Sequence, residues 1–269
     1  MNSNLKEAIE KVYEIAKNSG VKAELLAIES ESSSTSFENK KLDEFSTGQS
    51  LNLGVRLIKD NKECFFSTES TSPEDMERLC KQQLEAIEYS KENSDIVLAT
   101  ASKEGFPELD IYSQESPSQD EKIERVKSLD DALWSCDERV KNVRGTGISE
   151  SLSNIYLLDS EQNQLNYSKS SYGIWTQLLA KDGESLASGS FSQSKFEFED
   201  LYPDQLVIKQ VKDRTLGLLN SVVPETGDYA VVIDRKAFAS ILGLVIPMLK
   251  ADNVDKGLSL FSDSVGQKI

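Results

Sequence analysis

The sequence predicts an α+β fold. It has two similar halves, each a helix, an antiparallel strand meander and a second helix, followed by the beginning of a third, incomplete domain. Three observations carry this. Strand-like segments occur in groups between strong helix-start signals, the same punctuation of caps and turns occurs twice, and a new strand-and-helix pattern opens after Pro224. The divisions fall at residues 1–112, 113–221 and 222–269.

The first half opens with a helix from Asn4 to Ser19, where Leu5, Ile9, Val12 and Ala16 fall on one face and Gly20 provides the stop. Strands are expected at Glu24 to Ser30, Thr35 to Phe45, Ser50 to Ile58 and Glu63 to Ser67. A second helix begins where Ser72 offers an N-cap, Pro73 the first helical position and Asp75 a first-turn acid. Met76, Leu79, Cys80, Gln83 and Ile87 then recur at helical spacing.

The second half repeats this plan. Ser118 to Glu121 fits a capping box, and Val126, Leu129, Leu133 and Cys136 follow at 3,4,3 spacing. Strands are expected at Val140 to Ser149, Asn154 to Asp159, Gln164 to Ser168, Tyr172 to Ala180 and Ser185 to Gln193, before a helix opened by Pro203. The turns match as well, Asp60-Asn61 answering Asp182-Gly183 as two-residue hairpin connections that tolerate positive φ. Each half buries one sheet face under two helices.

Lys91 to Pro117 lacks periodicity and reads as a surface connection with one short strand at Leu109 to Tyr112. In the third segment Tyr229 to Ile233 reads as a short buried strand and Arg235 to Lys250 as an apolar helix. One strand and one helix cannot bury that much apolar surface, so further residues or a partner chain are expected to cover it.

Composition narrows the chemistry. The 269 residues include no histidine, which removes His-ligated zinc, a Ser-His-Asp triad and a Cys-His pair from this chain. A net charge of −16 argues against direct binding of nucleic acid or anionic membranes. Cys64, Cys80 and Cys136 are too few and too scattered for a disulfide framework and read as core thiols, which points to the cytoplasm. The most apolar run, Ala237 to Leu249, is shorter than the ~20 residues a membrane-spanning helix needs and holds Pro247.

Arg144-Gly145-Thr146-Gly147 reads as a turn rather than a phosphate loop, for want of a third glycine and a strand-turn-helix setting. Trp134 and Trp175 read as core aromatics, and the Asn166-Tyr167-Ser168 sequon carries no weight without a secretion signal. The Ser-rich stretch Glu29 to Ser36 is read as an edge strand, either open to an extended peptide by strand addition or shielded by its own charges. No residue is singled out as catalytic, cofactor-binding or metal-ligating.

Several motifs together bring a family into view. Gly54-Val55-Arg56-Leu57-Ile58, followed by Asp60, Phe65, Ser67-Thr68 and the Ser72-Pro73-Glu74 helix start, resembles the amino-terminal domain of the TldD/PmbA family. Thr226 to Ile233 resembles the start of that family's carboxy-terminal domain, and Lys256 to Phe261 with Val265-Gly266 a following Gly-x-Ser element. The resemblance covers nearly the whole chain. In that family the TldD type is a zinc metallopeptidase bearing His-Glu-x-x-x-His, and the PmbA (TldE) type pairs with it and lacks the motif. This chain looks like the second type, because an ungapped match lays the motif on Leu242-Gly243-Leu244-Val245-Ile246-Pro247, which offers no ligand.

The resemblance implies a cytoplasmic heterodimer in which a TldD-like partner supplies zinc and the nucleophilic water. This chain, with no cofactor of its own, would shape a closed chamber for peptides or small unfolded proteins. The family is linked by name to modulation of DNA gyrase, and also to maturation of peptide antibiotics and removal of an antitoxin. Its members are longer than 269 residues, so the chain is expected to stop inside their carboxy-terminal domain. The competing expectations are a free-standing peptide-binding or adaptor module without enzymatic role, and a non-functional remnant.

Overall fold

The computed structural model describes residues 1, 3–98, 109–113, 115–161, 163–264 and 266–268. They form two units, residues 1–221 and 222–269.

In the first unit, α1 (Ser3–Asn18) buries Leu5, Ala8, Ile9, Val12 and Ala16, the stripe its periodicity predicts. It ends at Gly20, whose φ of +65° lets the Val21 amide reach back to the Ala16 carbonyl at 3.0 Å. Then come β1 (Lys22–Glu38), β2 (Lys41–Lys59) and β3 (Lys62–Thr68). The segment Thr35 to Phe45 is therefore a hairpin rather than a strand. Asn39 and Lys40 both take positive φ, 51° and 62°, and fold the chain back on itself. The expected turn at Asp60-Asn61 is present, with φ of 49° and 61°.

Helix α2 (Pro73–Ala86) starts as its sequence dictates, the Ser72 hydroxyl accepting from the Asp75 amide at 3.2 Å. Helix α3 (Gln119–Trp134) has the complete capping box. Ser118 Oγ accepts from the Glu121 amide, and the Glu121 carboxylate accepts from the Ser118 amide at 2.7 Å. The five strands expected after it are three: β4 (Val140–Asp159), β5 (Gln164–Asp182) and β6 (Ser185–Lys195). Polar stretches such as Ser149 to Ser153 interrupt the apolar alternation and read as breaks, yet neighbours on both sides hold them extended. The last hairpin turns at Gly183-Glu184, one residue later than expected, with Gly183 taking φ +56°. Helix α4 (Asp204–Leu216) closes the second half behind Pro203.

All six strands form one antiparallel sheet in the order β3-β2-β1-β4-β5-β6. The two halves meet along β1 and β4, paired from Glu24↔Asp159 to Phe37↔Thr146. Two separate cores flank this seam. One joins α1 and α2 to Ala23, Leu25 and Ala27 of β1 and to Leu53, Val55 and Leu57 of β2. The other joins α3 and α4 to β5, β6 and the far end of β4. Leu109 to Tyr112 is not a strand. Among the described residues its one backbone bond to the sheet is from the Ser170 amide to the Ile111 carbonyl, at 2.9 Å. Residues 99–108 of the expected connection lie outside the described residues.

The second unit contains α5 (Arg235–Val245), a 3₁₀ turn at Ile246–Leu249 and α6 (Ala251–Asp255). Pro247 ends the helix earlier than the apolar run suggests, since its ring cannot continue the ladder. Tyr229 to Ile233 is not a strand and pairs with none among the described residues. Nor is the apolar helix buried: Leu242 is 39% and Leu244 70% exposed. Val265 and Ile269 lie outside the described residues.

Candidate functional site

The sequence of β1 sets up a gap between the two cores. Alternate residues of a strand face one side, and on the helix-bearing side β1 reads Ala23, Leu25, Ala27, then Glu29, Glu31 and Ser33, then Thr35 and Phe37. The apolar series stops at the acids and resumes past them, so no helix can pack there. Two adjoining hollows of about 530 and 520 Å³ occupy this stretch, sharing Glu31, Gln49 and Leu152. Glu29 and Tyr112 line one, and Thr47 and Lys122 the other. Together they make a trough across the seam, with an acidic floor.

At one end the trough is pinned by a buried charge pair. Lys122 on α3 donates to Glu150 on β4 at 2.6 Å and to Ser33 on β1 at 2.9 Å, so a single ammonium ties the helix to both seam strands. Ser33 and Ser116 also donate to the Glu150 carboxylate. Burial pushes the Glu150 carboxyl upward, but the bonds from Lys122 and Ser116 and the Lys122 charge outweigh it and hold the group below its ordinary value. Beside it Gln119 donates to Thr35 at 2.7 Å. These residues arise from four separate elements, and the sequence signal that could have found them is the interruption of the β1 alternation at Glu29.

The stretch read as an edge strand is not one. Glu29 to Ser36 lies mid-sheet, paired with β2 on one side and β4 on the other, so it cannot add a further strand. The open edge is one strand further out. β3 pairs with β2 only from Leu53 to Lys59, and among the described residues nothing pairs with the outer edge of Lys41 to Asn52. Lys41 to Ser50 is exposed throughout.

Arg144 to Gly147 also differs from expectation, lying within β4 rather than in a turn. Gly147 stands directly opposite Trp175. A Cβ at Gly147 would come within 2.6 Å of the indole, and one at Gly145 within 2.8 Å. The glycines seat the ring, which stays 37% exposed on the helix-free face instead of entering the core. Cys64 and Cys80 are buried, as core thiols should be, and Cys136 is half-buried. Burial raises all three thiols, Cys80 to about 11, and so disfavours the reactive thiolate.

Family models match the chain almost end to end. The one described as PmbA/TldA metallopeptidase domain 1 covers residues 23–88, the central domain 112–219 and the C-terminal domain 226–269. The chain belongs to the PmbA/TldD family. It is 23% identical to Metalloprotease MJ0996 of Methanocaldococcus jannaschii, over 98% of this chain and 58% of the relative. It is 20% identical to Metalloprotease PmbA of Escherichia coli O157:H7, over 98% of this chain and 59% of the relative. The chain thus spans less than three fifths of the curated relatives it matches. Among solved structures, a candidate modulator of DNA gyrase from Bacteroides thetaiotaomicron superposes with a TM-score of 0.87 at 21% identity, covering all of this chain and 62% of that one. TldE from Thermococcus kodakarensis does so with 0.69 at 14%, over 94% and 57%. These likenesses show the PmbA/TldD fold.

The described residues do not fit the zinc that membership of a metallopeptidase family implies. Among the described residues no three His, Cys, Asp or Glu side chains gather as a ligand set. Leu242 to Pro247 presents only apolar side chains and a glycine. None of the described helices is long and apolar enough to cross a membrane.

Proposed function

We propose that this chain is a PmbA/TldE-type, non-catalytic subunit of a cytoplasmic zinc metallopeptidase. A TldD-like partner would supply the metal and the attacking water, and the pair would degrade peptides and small unfolded proteins. The observation that carries this reading is the donor chemistry: a chain matched by all three family domains holds no histidine and, among the described residues, no converging ligand set. The trough between the cores supports a role in holding peptide, since it is elongated, polar-walled and built on strands. On this reading the chain contributes binding and enclosure, while bond cleavage belongs to the partner.

The test is reconstitution. The chain is purified alone and together with a His-Glu-x-x-x-His-bearing family member from the same cells, and zinc-dependent cleavage of an unfolded protein is followed in each. Cleavage is expected only with the partner, in a complex that co-migrates on a sizing column. Stoichiometric zinc binding and cleavage by this chain alone would overturn the proposal.

A further inference from the structure

The two halves end their sheets differently, and the difference points to a ligand. The residues closing the outer hairpins are Lys59↔Lys62 in the first half and Asp182↔Ser185 in the second, each across a two-residue turn. Such closing residues bond to each other, and the direction of the backbone groups then alternates along the strand. Counting back equally from Lys59 and Asp182 reaches Thr47 and Ser170. Both lie beyond the reach of the outer strand, both turn their amides away from the seam, and both carry a hydroxyl on the helix-bearing face.

In the second half this position is occupied. The Ser170 amide donates to the Ile111 carbonyl at 2.9 Å, and the Ser113 amide donates to Ser170 Oγ at 2.9 Å. Tyr172 then donates to the Glu115 carbonyl at 3.2 Å, so Ile111, Ser113 and Glu115 are all bonded to that edge. In the first half the matching edge at Thr47 has no such cover among the described residues, and it opens onto the trough that Thr47 itself lines.

We infer that the outer edge of β2 around Thr47 is a docking site for an extended, basic peptide segment. The repeat supplies the geometry, with a main-chain bond like that from the Ser170 amide to Ile111 and a hydroxyl contact like that of Ser170 with the Ser113 amide. The charge selects the occupant. Asp43 on the trough side and Glu44 on the other outnumber Lys41 on the open stretch, Glu31 lies on the trough floor with Gln49 bonded to it at 3.2 Å, and Lys122 is neutralised by Glu150. Leu42 and Phe45, each half exposed, add apolar contact along the strand. The inference rests on the strand pairing and holds whether or not the chain serves a peptidase.

The test is fluorescence anisotropy on the full chain. The probe is an alternating lysine–threonine peptide of about nine residues, which spans ~30 Å of edge. Its glutamate counterpart and a version methylated on alternate backbone nitrogens serve as comparisons. The lysine peptide binds, salt weakens it several-fold, and the other two bind at least about tenfold more weakly. Thr47→Pro removes an outward amide that no ladder bond uses, so the fold persists and binding falls at least about tenfold, whereas Thr47→Val, which keeps the amide and loses only the hydroxyl, weakens it less. Hydrogen exchange slows in Lys41 to Asn52 when the peptide is added. Equal binding of the glutamate or methylated peptide, an unaffected Thr47→Pro variant, or no binding of the lysine peptide would overturn the inference. So would a dimer that Thr47→Pro dissociates, because the edge would then serve a second copy. Binding here with no activity on reconstitution would sink the peptidase reading alone, and the reverse would sink the edge alone.

Discussion

The Lys122–Glu150 pair gives a prediction whose size follows from its burial. Both side chains are less than a tenth exposed, and the 2.6 Å contact closes a network with Ser33 and Ser116. Lys122→Met keeps the length of the side chain and removes its charge, leaving a buried carboxylate with hydroxyl donors only. Loss of one partner of such a pair costs about 3–5 kcal/mol. Pairing Lys122→Met with Glu150→Leu removes the stranded charge and brings stability back to within about 1 kcal/mol of the parent. Urea denaturation followed by circular dichroism measures each variant, and the double-mutant cycle isolates the coupling.

The pH dependence sharpens this prediction. Glu150 is held below its ordinary value of 4.5 in the folded parent, so it contributes stability that is present above that pH and lost as the pH falls through the folded value. In Lys122→Met burial acts without its main opponent, the carboxyl titrates higher, and the variant regains stability on acidification. The gap between variant and parent therefore narrows from pH 7 toward pH 4. A cost under about 1 kcal/mol at pH 7, a gap that does not change with pH, or a double variant as weak as the single would refute the reasoning.

Two further outcomes follow from packing. Gly147→Val forces the Trp175 ring off its seat, costs about 1–3 kcal/mol and shifts the indole emission to longer wavelength, and Trp175→Ser in the same chain recovers most of the loss; an unchanged emission spectrum would show that the ring has no fixed seat. With a thiol reagent at pH 8, half-buried Cys136 reacts first, while Cys64 and Cys80 react only at the rate of unfolding, because burial both shields them and disfavours the thiolate. Fast labelling of Cys80 in the native protein would contradict the core described for α2.

Local signals in the sequence were faithful wherever a short-range interaction decides the structure. The Ser72 and Ser118 caps, Pro203 and the Asp60-Asn61 turn depend on residues a few positions apart, and each stands where its chemistry puts it. Polar strands failed because their extended form is imposed by neighbours. Ser30 to Ser34 and Ser149 to Ser153 carry no apolar alternation and are held by each other across the seam. Strand order is likewise beyond local reading, which is why Glu29 to Ser36 looked like an edge and lies mid-sheet. Tyr229 to Ile233 has strand-like residues but, among the described residues, no strand beside it to accept its backbone. The trough was legible only in part: the acids at Glu29 and Glu31 break the pattern visibly, but what stands opposite them depends on the β1–β4 register.

That seam also has a consequence for how the chain reaches its native state. Four of the five strand pairings are hairpins closed by short turns, formed within each half. The fifth joins partners as distant as Glu24 and Asp159. Closing a loop of on the order of a hundred residues costs roughly 2 kcal/mol more than closing one of ten, and this cost precedes any gain from the ladder. The middle of the seam brings little apolar surface to offset it, since Glu29 to Ser34 meets Ser149 to Asn154, and the apolar contribution comes only at its ends, where Tyr156 and Leu158 enter one core and Phe37 the other. The two meanders with their helices are therefore set to form early and independently, and the zipping of β1 onto β4 is the slow, late event that turns two half-sheets into one.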